Sequence, residues 1–276
     1  GKHPGHAFVR NNGEVKPEGQ RPIPKAEQTI AELLRSHGYG TGAFGKWGLG
    51  FPGSEGDPIH QGFDRFFGYN CQRHAHSYYP NYLWSNLKRV PLNNNPPVPG
   101  HASLPRDADP ADPRSYDIFK GQDYAPDRIN EQALAFLRKN HDKPFFLYLP
   151  LSSPHTPIVP SKPWQGKSDI GKYGDFLMET DWVVGQVLQA LDRHRLAKDT
   201  IVIFATDNGC SPAAKIPALV AKGHKPNADW RGHKADIFEG GHRVPFLVRW
   251  PGKVAAGSTS GQTICTADLF ATVADV

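Results

Sequence analysis

The chain has few of the residues that mark redox, zinc or membrane proteins. Its 3 cysteines, Cys71, Cys210 and Cys265, form an odd set with no C-x-x-C. That set indicates neither a cysteine zinc site nor a disulfide framework, and it leaves the redox compartment unread. Long apolar runs are missing: no stretch reaches the roughly 18 residues of a membrane span, and no signal peptide is present. One-signed charge runs are missing as well. The formal charge of +5 and pI near 9.0 favour an anionic partner, yet Lys and Arg are scattered, which argues against a nucleic-acid-binding stripe.

What the chain does have is length, aromatics and loop formers. With 276 residues it can hold one large α/β domain or two smaller ones, and Trp 6, Phe 15 and Tyr 9 supply core anchors. Gly 28 and Pro 26 make up about a fifth of the residues, which implies long, defined loops, where function tends to reside. Both ends read as cut: Gly1-Lys2-His3-Pro4 has no initiator Met, and Ala274-Asp275-Val276 falls within a helical pattern. An internal piece of a longer protein is expected.

Helix and strand patterns alternate. Ala26 to His37 carries Ile30, Leu33 and Leu34 at helical spacing and leads into the small apolar segment Thr41 to Trp47. Asp127 to Asn140, with Ile129, Leu134, Phe136 and Leu137, repeats the pattern before the strand Phe145 to Leu149. Tyr173 to Leu196 places Val183, Val184, Val187, Leu188 and Leu191 on one face and feeds the strand Thr200 to Thr206. A strand Val244 to Trp250, put at an edge by Pro245, and a helix from about Ala267 complete the reading. Such alternation predicts a mostly parallel sheet with helices on both faces. Val90 to Ser115 shows neither period and reads as an insertion rimming a pocket. There is no internal repeat.

Asp207-Asn208-Gly209 ends the Thr200 strand abruptly. A carboxylate and an amide at a strand tip offer hard oxygens suited to Ca²⁺ or Mg²⁺, although Asp-Asn-Gly is also sound turn chemistry by itself. Lys46 ends another strand among glycines and is placed to meet an anion. His155, just past the Phe145 strand, can donate a proton to a leaving group. Lys234 precedes the Val244 strand. Each has a plain alternative, as a solvated lysine or a loop-bonded histidine. Together they describe a metal-assisted site for an oxyanion ester. Two decoys fail on context. Gly40, Gly42 and Gly45 fit G-x-G-x-x-G and nearly a Walker A loop, but they follow a helix and lie inside a strand, and Trp47 stands where Ser or Thr is needed.

The chain resembles the formylglycine-dependent, arylsulfatase-like sulfatases of the alkaline phosphatase superfamily. The resemblance is carried by Gly1-Lys-His-Pro4, Thr41-Gly-Ala-Phe-Gly-Lys46-Trp-Gly-Leu-Gly50, Gly62-Phe-Asp-Arg-Phe-Phe-Gly68, Pro144-Phe-Phe-Leu-Tyr148, His155-Thr-Pro157, Phe204-Ala-Thr-Asp207-Asn-Gly209 and Lys234 through Pro245. It implies an alkaline-phosphatase-like α/β/α sandwich, truncated at both ends, with residues 1–276 as the central part of one catalytic domain. It implies hydrolysis of sulfate esters of a carbohydrate or small molecule, with Asp207 and Asn208 as ligands to Ca²⁺, or alternatively Mg²⁺. Lys46 and Lys234 would hold the sulfate oxygens, and His155 would sit beside the bridging oxygen. A formylglycine upstream of Gly1, made by a formylglycine-generating enzyme, would be the nucleophile, so the chain alone is expected to be inactive. A periplasmic or secreted location follows from the same likeness. The alternatives are a phosphoester or phosphonate hydrolase on this fold, and a non-catalytic binder of sulfated glycans.

Three departures matter. No C/S-x-P-x-R motif is present, nor the aspartate pair that would complete a metal site. Cys210-Ser211-Pro212-Ala213-Ala214 has Ala in place of Arg and follows the metal ligands, so it is not the nucleophile. Gly48 stands where many relatives carry a His. Arg73, His74 and His76 are therefore the candidate substrate-binding residues, with His74 or His76 as the replacement imidazole and a plain pair of loop histidines as the alternative.

Overall fold

The computed structural model describes residues 2, 4–10, 18–95, 98, 107–108, 112–119 and 121–276. They form two compact units, Gly1–Pro157 with Gly261–Val276, and Ile158–Ser260.

The first unit is built on helix α1 (Ile30–Ser36), strands β1 (Gly40–Lys46), β2 (Arg65–Tyr69), β3 (Tyr82–Ser85) and β4 (Lys88–Pro91), helix α2 (Ala125–Asn140) and strand β5 (Phe145–Tyr148). The first helix starts at Ile30, four residues later than the apolar spacing suggests. The cause is a capping box: the Thr29 hydroxyl accepts the Glu32 N–H while the Glu32 carboxylate accepts the Thr29 N–H. Among the described residues the strands form a five-stranded sheet in the order β4-β3-β2-β1-β5. It is parallel across β5, β1 and β2, with Phe44 opposite Phe67 and Lys46 opposite Tyr69, and antiparallel where the β3-β4 hairpin extends it.

Strand alternation divides the core between the two faces of this sheet. Phe44, Phe67, Tyr69 and Leu83 pack with Ile129, Ala133 and Phe136 of α2, and the Phe44 and Phe136 rings lie 5.5 Å apart. Ala43, Phe66 and Trp84 pack on the opposite face with Ala31 of α1 and Phe63. Helices thus cover both faces, as expected. Strands β2 to β4 have no counterpart among the sequence expectations, because each is only four or five residues long and shows no apolar period. Val90, the first residue of the expected insertion, lies within β4, and its last residues enter a 3₁₀ helix, Pro113–Phe119. Residues 96–97, 99–106 and 109–111 of that insertion lie outside the described residues.

The second unit holds α3 (Lys172–Arg193), β6 (Val202–Ala205), α4 (Ile216–Ala221), α5 (Glu239–His242) and β7 (Phe246–Arg249). Phe176, Val183 and Leu191 form the buried stripe of α3. Its buried acids tie down the preceding loop: Asp175 accepts the Gly166, Lys167 and Ser168 N–H groups, and Glu179 accepts the Ser161 N–H and hydroxyl. The long helix ends at Arg193, not Leu196. β6 pairs antiparallel with β7, Val202 opposite Arg249, in a separate two-stranded sheet. The expected edge position of the Val244 strand agrees with this pairing, and the strand begins after Pro245, which has no N–H for a ladder. Helix α6 (Asp268–Asp275) returns to the first unit near α1. Among the described residues no helix is long and apolar enough to cross a membrane.

Candidate active-site residues

In the first unit, Lys46 closes β1 and is held on both sides. Its N–H donates to the Pro150 carbonyl at 2.8 Å, and the next N–H, of Trp47, donates to the Tyr69 carbonyl at 2.8 Å. The strand end is therefore pinned to the loop after β5 as well as to β2. That loop carries His155, half-buried, whose N–H donates to the Ser152 carbonyl at 3.1 Å. Buried Tyr78 places its hydroxyl 2.8 Å from the Ser152 carbonyl and 2.9 Å from that of His155, sharing its proton between them. The His155 ring donates Nδ1–H to the Thr156 carbonyl at 2.9 Å, which orients the imidazole.

The turn Arg73 to His76 behaves differently at each position. Arg73 is exposed, and its carbonyl accepts the His76 N–H at 3.1 Å and the His76 Nδ1–H at 3.3 Å. His76 packs against His155, with ring centroids 4.7 Å apart. His74 packs on Tyr69 and Tyr82 instead, at 5.2 and 4.5 Å, with Nδ1 3.6 Å from the Glu18 carboxylate. Glu18 also accepts from the Tyr82 hydroxyl, Trp84 Nε1 at 2.8 Å and Arg89 at 3.1 Å. Burial works against the Glu18 charge, but the nearby His74 ring and the hydrogen bonds from Tyr82 and Trp84 outweigh it and pull its pKa down to about 2.

In the second unit, Asp207 and Asn208 follow β6 after a single residue, so the Thr200 run does end in the expected tip. The tip is fixed by its backbone. The Gly209 N–H donates to the Gly241 carbonyl at 2.9 Å, and a Cβ at Gly209 would stand 1.8 Å from the Gly240 carbonyl oxygen, so only glycine fits. The Cys210 N–H donates to Asn227 Oδ1 at 2.8 Å. The Lys234 N–H donates to the Cys210 carbonyl at 3.0 Å, which ties Lys234 to the same loop as Asp207. The Asn208 amide donates to the Gly209 carbonyl at 3.0 Å through Nδ2, leaving Oδ1 outside that bond.

An exposed carboxylate and an amide oxygen at one strand tip fit a hard divalent cation in kind. They are two donors where Ca²⁺ takes about six to eight. Among the described residues no group of three or more His, Cys, Asp and Glu could hold a metal by itself, so the pair would be part of a ligand set. The decoys behave as decoys. Gly40, Gly42 and Gly45 lie inside β1. Cys210 Sγ donates to the Tyr173 hydroxyl at 3.5 Å, and burial pushes its thiol pKa up, the reverse of an activated nucleophile. Tyr78 and Asn227 are the supporting residues that sequence reasoning missed. Their roles rest on contacts with residues far away along the chain, which no periodicity or motif reports.

An open sheet, parallel across β5, β1 and β2 and with helices on both faces, defines an α/β protein, and in such sheets ligands bind beyond the carboxyl ends of the strands. The chain belongs to the sulfatase family, whose model matches residues 5–276. It is 32% identical over 302 residues to mouse (Mus musculus) steryl-sulfatase, covering 91% of this chain and 48% of that protein. It is 34% identical over 257 residues to human (Homo sapiens) N-acetylgalactosamine-6-sulfatase, covering 91% of this chain and 44% of the relative. The chain thus spans about half the length of these curated relatives. Among solved structures, that of Ps i-CgsB in complex with k-i-k-neocarrahexaose superposes with a TM-score of 0.70 at 25% identity, over 94% of this chain and 56% of that one. The fold is the α/β alkaline-phosphatase-like one shared with such sulfatases.

Proposed function

We propose that the protein containing this chain hydrolyses sulfate esters of carbohydrates. The observation that carries the reading is that Lys46 ends β1, His155 lies in the loop after β5 that is bonded to that strand end, and Asp207 and Asn208 follow β6 in their own unit, with Lys234 bonded through its backbone to the Asp207 loop. The substrate class is supported by a relative named for N-acetylgalactosamine 6-sulfate and by a similar fold bound to a neocarrahexaose.

In this reading Lys46 and Lys234 bind the sulfate oxygens and offset the charge that gathers on them as the ester bond breaks. His155 holds its Nδ1 proton on the Thr156 carbonyl and delivers a proton from Nε2 to the bridging oxygen. Asp207 and Asn208 hold a divalent cation, Ca²⁺ or alternatively Mg²⁺. Bound there, such an ion would polarise the sulfate, and an upstream formylglycine, installed by a formylglycine-generating enzyme, would supply the attacking hydroxyl. A periplasmic or secreted location goes with this chemistry.

The test is release of inorganic ion by the full-length protein from a 6-O-sulfated N-acetylhexosamine and from its 6-phosphate, followed by ion chromatography. Sulfate release is expected, with Lys46→Ala and Lys234→Ala each lowering kcat/KM by about 10²–10³. Phosphate release without sulfate release would make it a phosphoester hydrolase. Binding of the sulfated sugar with neither product would make it a glycan-binding protein.

A further inference from the structure

The His76 and His155 rings meet at 66° with centroids 4.7 Å apart, yet they come from different elements of the first unit, the turn after β2 and the loop after β5. Each ring is also oriented by its own backbone contact: Nδ1 of His155 lies 2.9 Å from the Thr156 carbonyl, and Nδ1 of His76 lies 3.3 Å from the Arg73 carbonyl. The turn that delivers His76 is braced at both ends. At its start, the Gln72 N–H donates to Oε1 of buried Gln20 at 2.8 Å. At its end, the buried Tyr69 hydroxyl donates to the Ser77 carbonyl at 2.7 Å.

Gly48 shows why the second ring arrives from this turn. Its φ is +100°, and a Cβ there would lie 2.9 Å from Gln72 Cγ and 3.0 Å from Gln72 Nε2. The Gln72 side chain therefore occupies the space a side chain at 48 would need, and four residues later the same turn sets His76 on His155. His74 is engaged elsewhere, by Tyr69, Tyr82 and Glu18.

We propose that His76 is a positioning residue for His155: its ring fixes the plane of the His155 imidazole, so that Nε2 stays aligned with the oxygen of the leaving group. This rests on the reading of His155 as the proton donor. An aromatic edge contact suits the task, because it resists rotation of the neighbouring ring without consuming either of its nitrogens.

The test uses the full-length enzyme and two sulfate esters, a nitrophenyl sulfate, whose leaving group departs without a proton, and a sulfated sugar, whose alkoxide requires one. His155→Ala is expected to lose about 10²–10⁴-fold in kcat/KM on the sugar sulfate and much less on the nitrophenyl ester. His76→Ala is expected to show the same leaving-group bias at about 10²-fold, the scale of a misplaced catalytic group, and His76→Phe, which keeps an aromatic edge, is expected to recover most of that loss. Thermal unfolding of each variant identifies any that fails to fold, and His76→Phe keeps the question open to measurement if His76→Ala does. An equal loss on both substrates, no loss, or a His76→Phe variant as impaired as His76→Ala would overturn the role of His76 while leaving His155 as the donor. Absence of the bias in His155→Ala would overturn the proton-donor reading itself.

Discussion

Two groups of charged residues are held at strand ends in this molecule by different means. In the first unit Lys46 ends a strand of a sheet packed on both faces, so side-chain burial around Phe44, Phe67, Phe136 and Phe66 fixes the backbone that carries it, and the loop bearing His155 is hydrogen-bonded to that strand end and to buried Tyr78. In the second unit Asp207, Asn208 and Lys234 sit beyond a two-stranded sheet in which Ile203, Leu247 and Val248 are exposed, and backbone hydrogen bonds through Gly209, Cys210 and Asn227 hold the loop. The first arrangement ties function to global stability. The second ties it to local loop geometry, so a variant can damage the loop while the rest of the protein stays folded.

The largest expected effect follows from that contrast. Phe136→Ala removes a buried ring packed on Phe44 and is expected to destabilise the protein by about 3–5 kcal/mol, read as a fall in the denaturant midpoint at unchanged slope. A shift under about 1 kcal/mol would break the claim that packing holds the first group. Gly209→Ala drives a Cβ into the Gly240 carbonyl and is expected to lower kcat/KM of the full-length protein by about 10²-fold, with the unfolding midpoint changing far less than in Phe136→Ala. Asn227→Ala leaves the Cys210 N–H without its acceptor. It is expected to cost about 1–3 kcal/mol, and hydrogen exchange at the Cys210 amide would report it.

The smallest effect concerns pH and sharpens the first half of the comparison. The folded Glu18 pKa, about 2, lies below its ordinary value of 4.5. A depressed carboxyl pKa contributes stability that is present above the ordinary value and is lost as pH falls through the folded one. Acid unfolding curves of wild type and Glu18→Gln should therefore converge between about pH 4.5 and about pH 2. A constant difference across that window would contradict the ionised cluster around His74, Tyr82 and Trp84.

Sequence legibility follows the same division. The α2 and α3 stripes and the strands at β1, β5 and β6 could be read because their apolar spacing is local. Strands β2 to β4 could not, since Arg65–Tyr69 and the Tyr82–Pro91 hairpin are too short to show a period and are built by pairing. The strand-end positions of Lys46 and Asp207 were legible because each follows a readable strand, whereas His155 lies farther out, in the loop after β5. The different fates of His74 and His76 were not. Two residues apart in one turn, they are separated by partners remote in sequence, Glu18 for one and His155 for the other. The backbone tie between Lys234 and the Asp207 loop was equally hidden, because it closes through an N–H that no side-chain type reveals.

Cation binding by the Asp207 loop and proton delivery by His155 are the proposed division of labour, and the calcium dependence of sulfate release by the full-length protein tests that division most directly. Asp207→Ala is expected to raise the calcium concentration needed for half-maximal turnover by at least about tenfold. His155→Ala is expected to lower turnover at an unchanged calcium requirement. The same calcium shift in both variants, or in neither, would contradict the account.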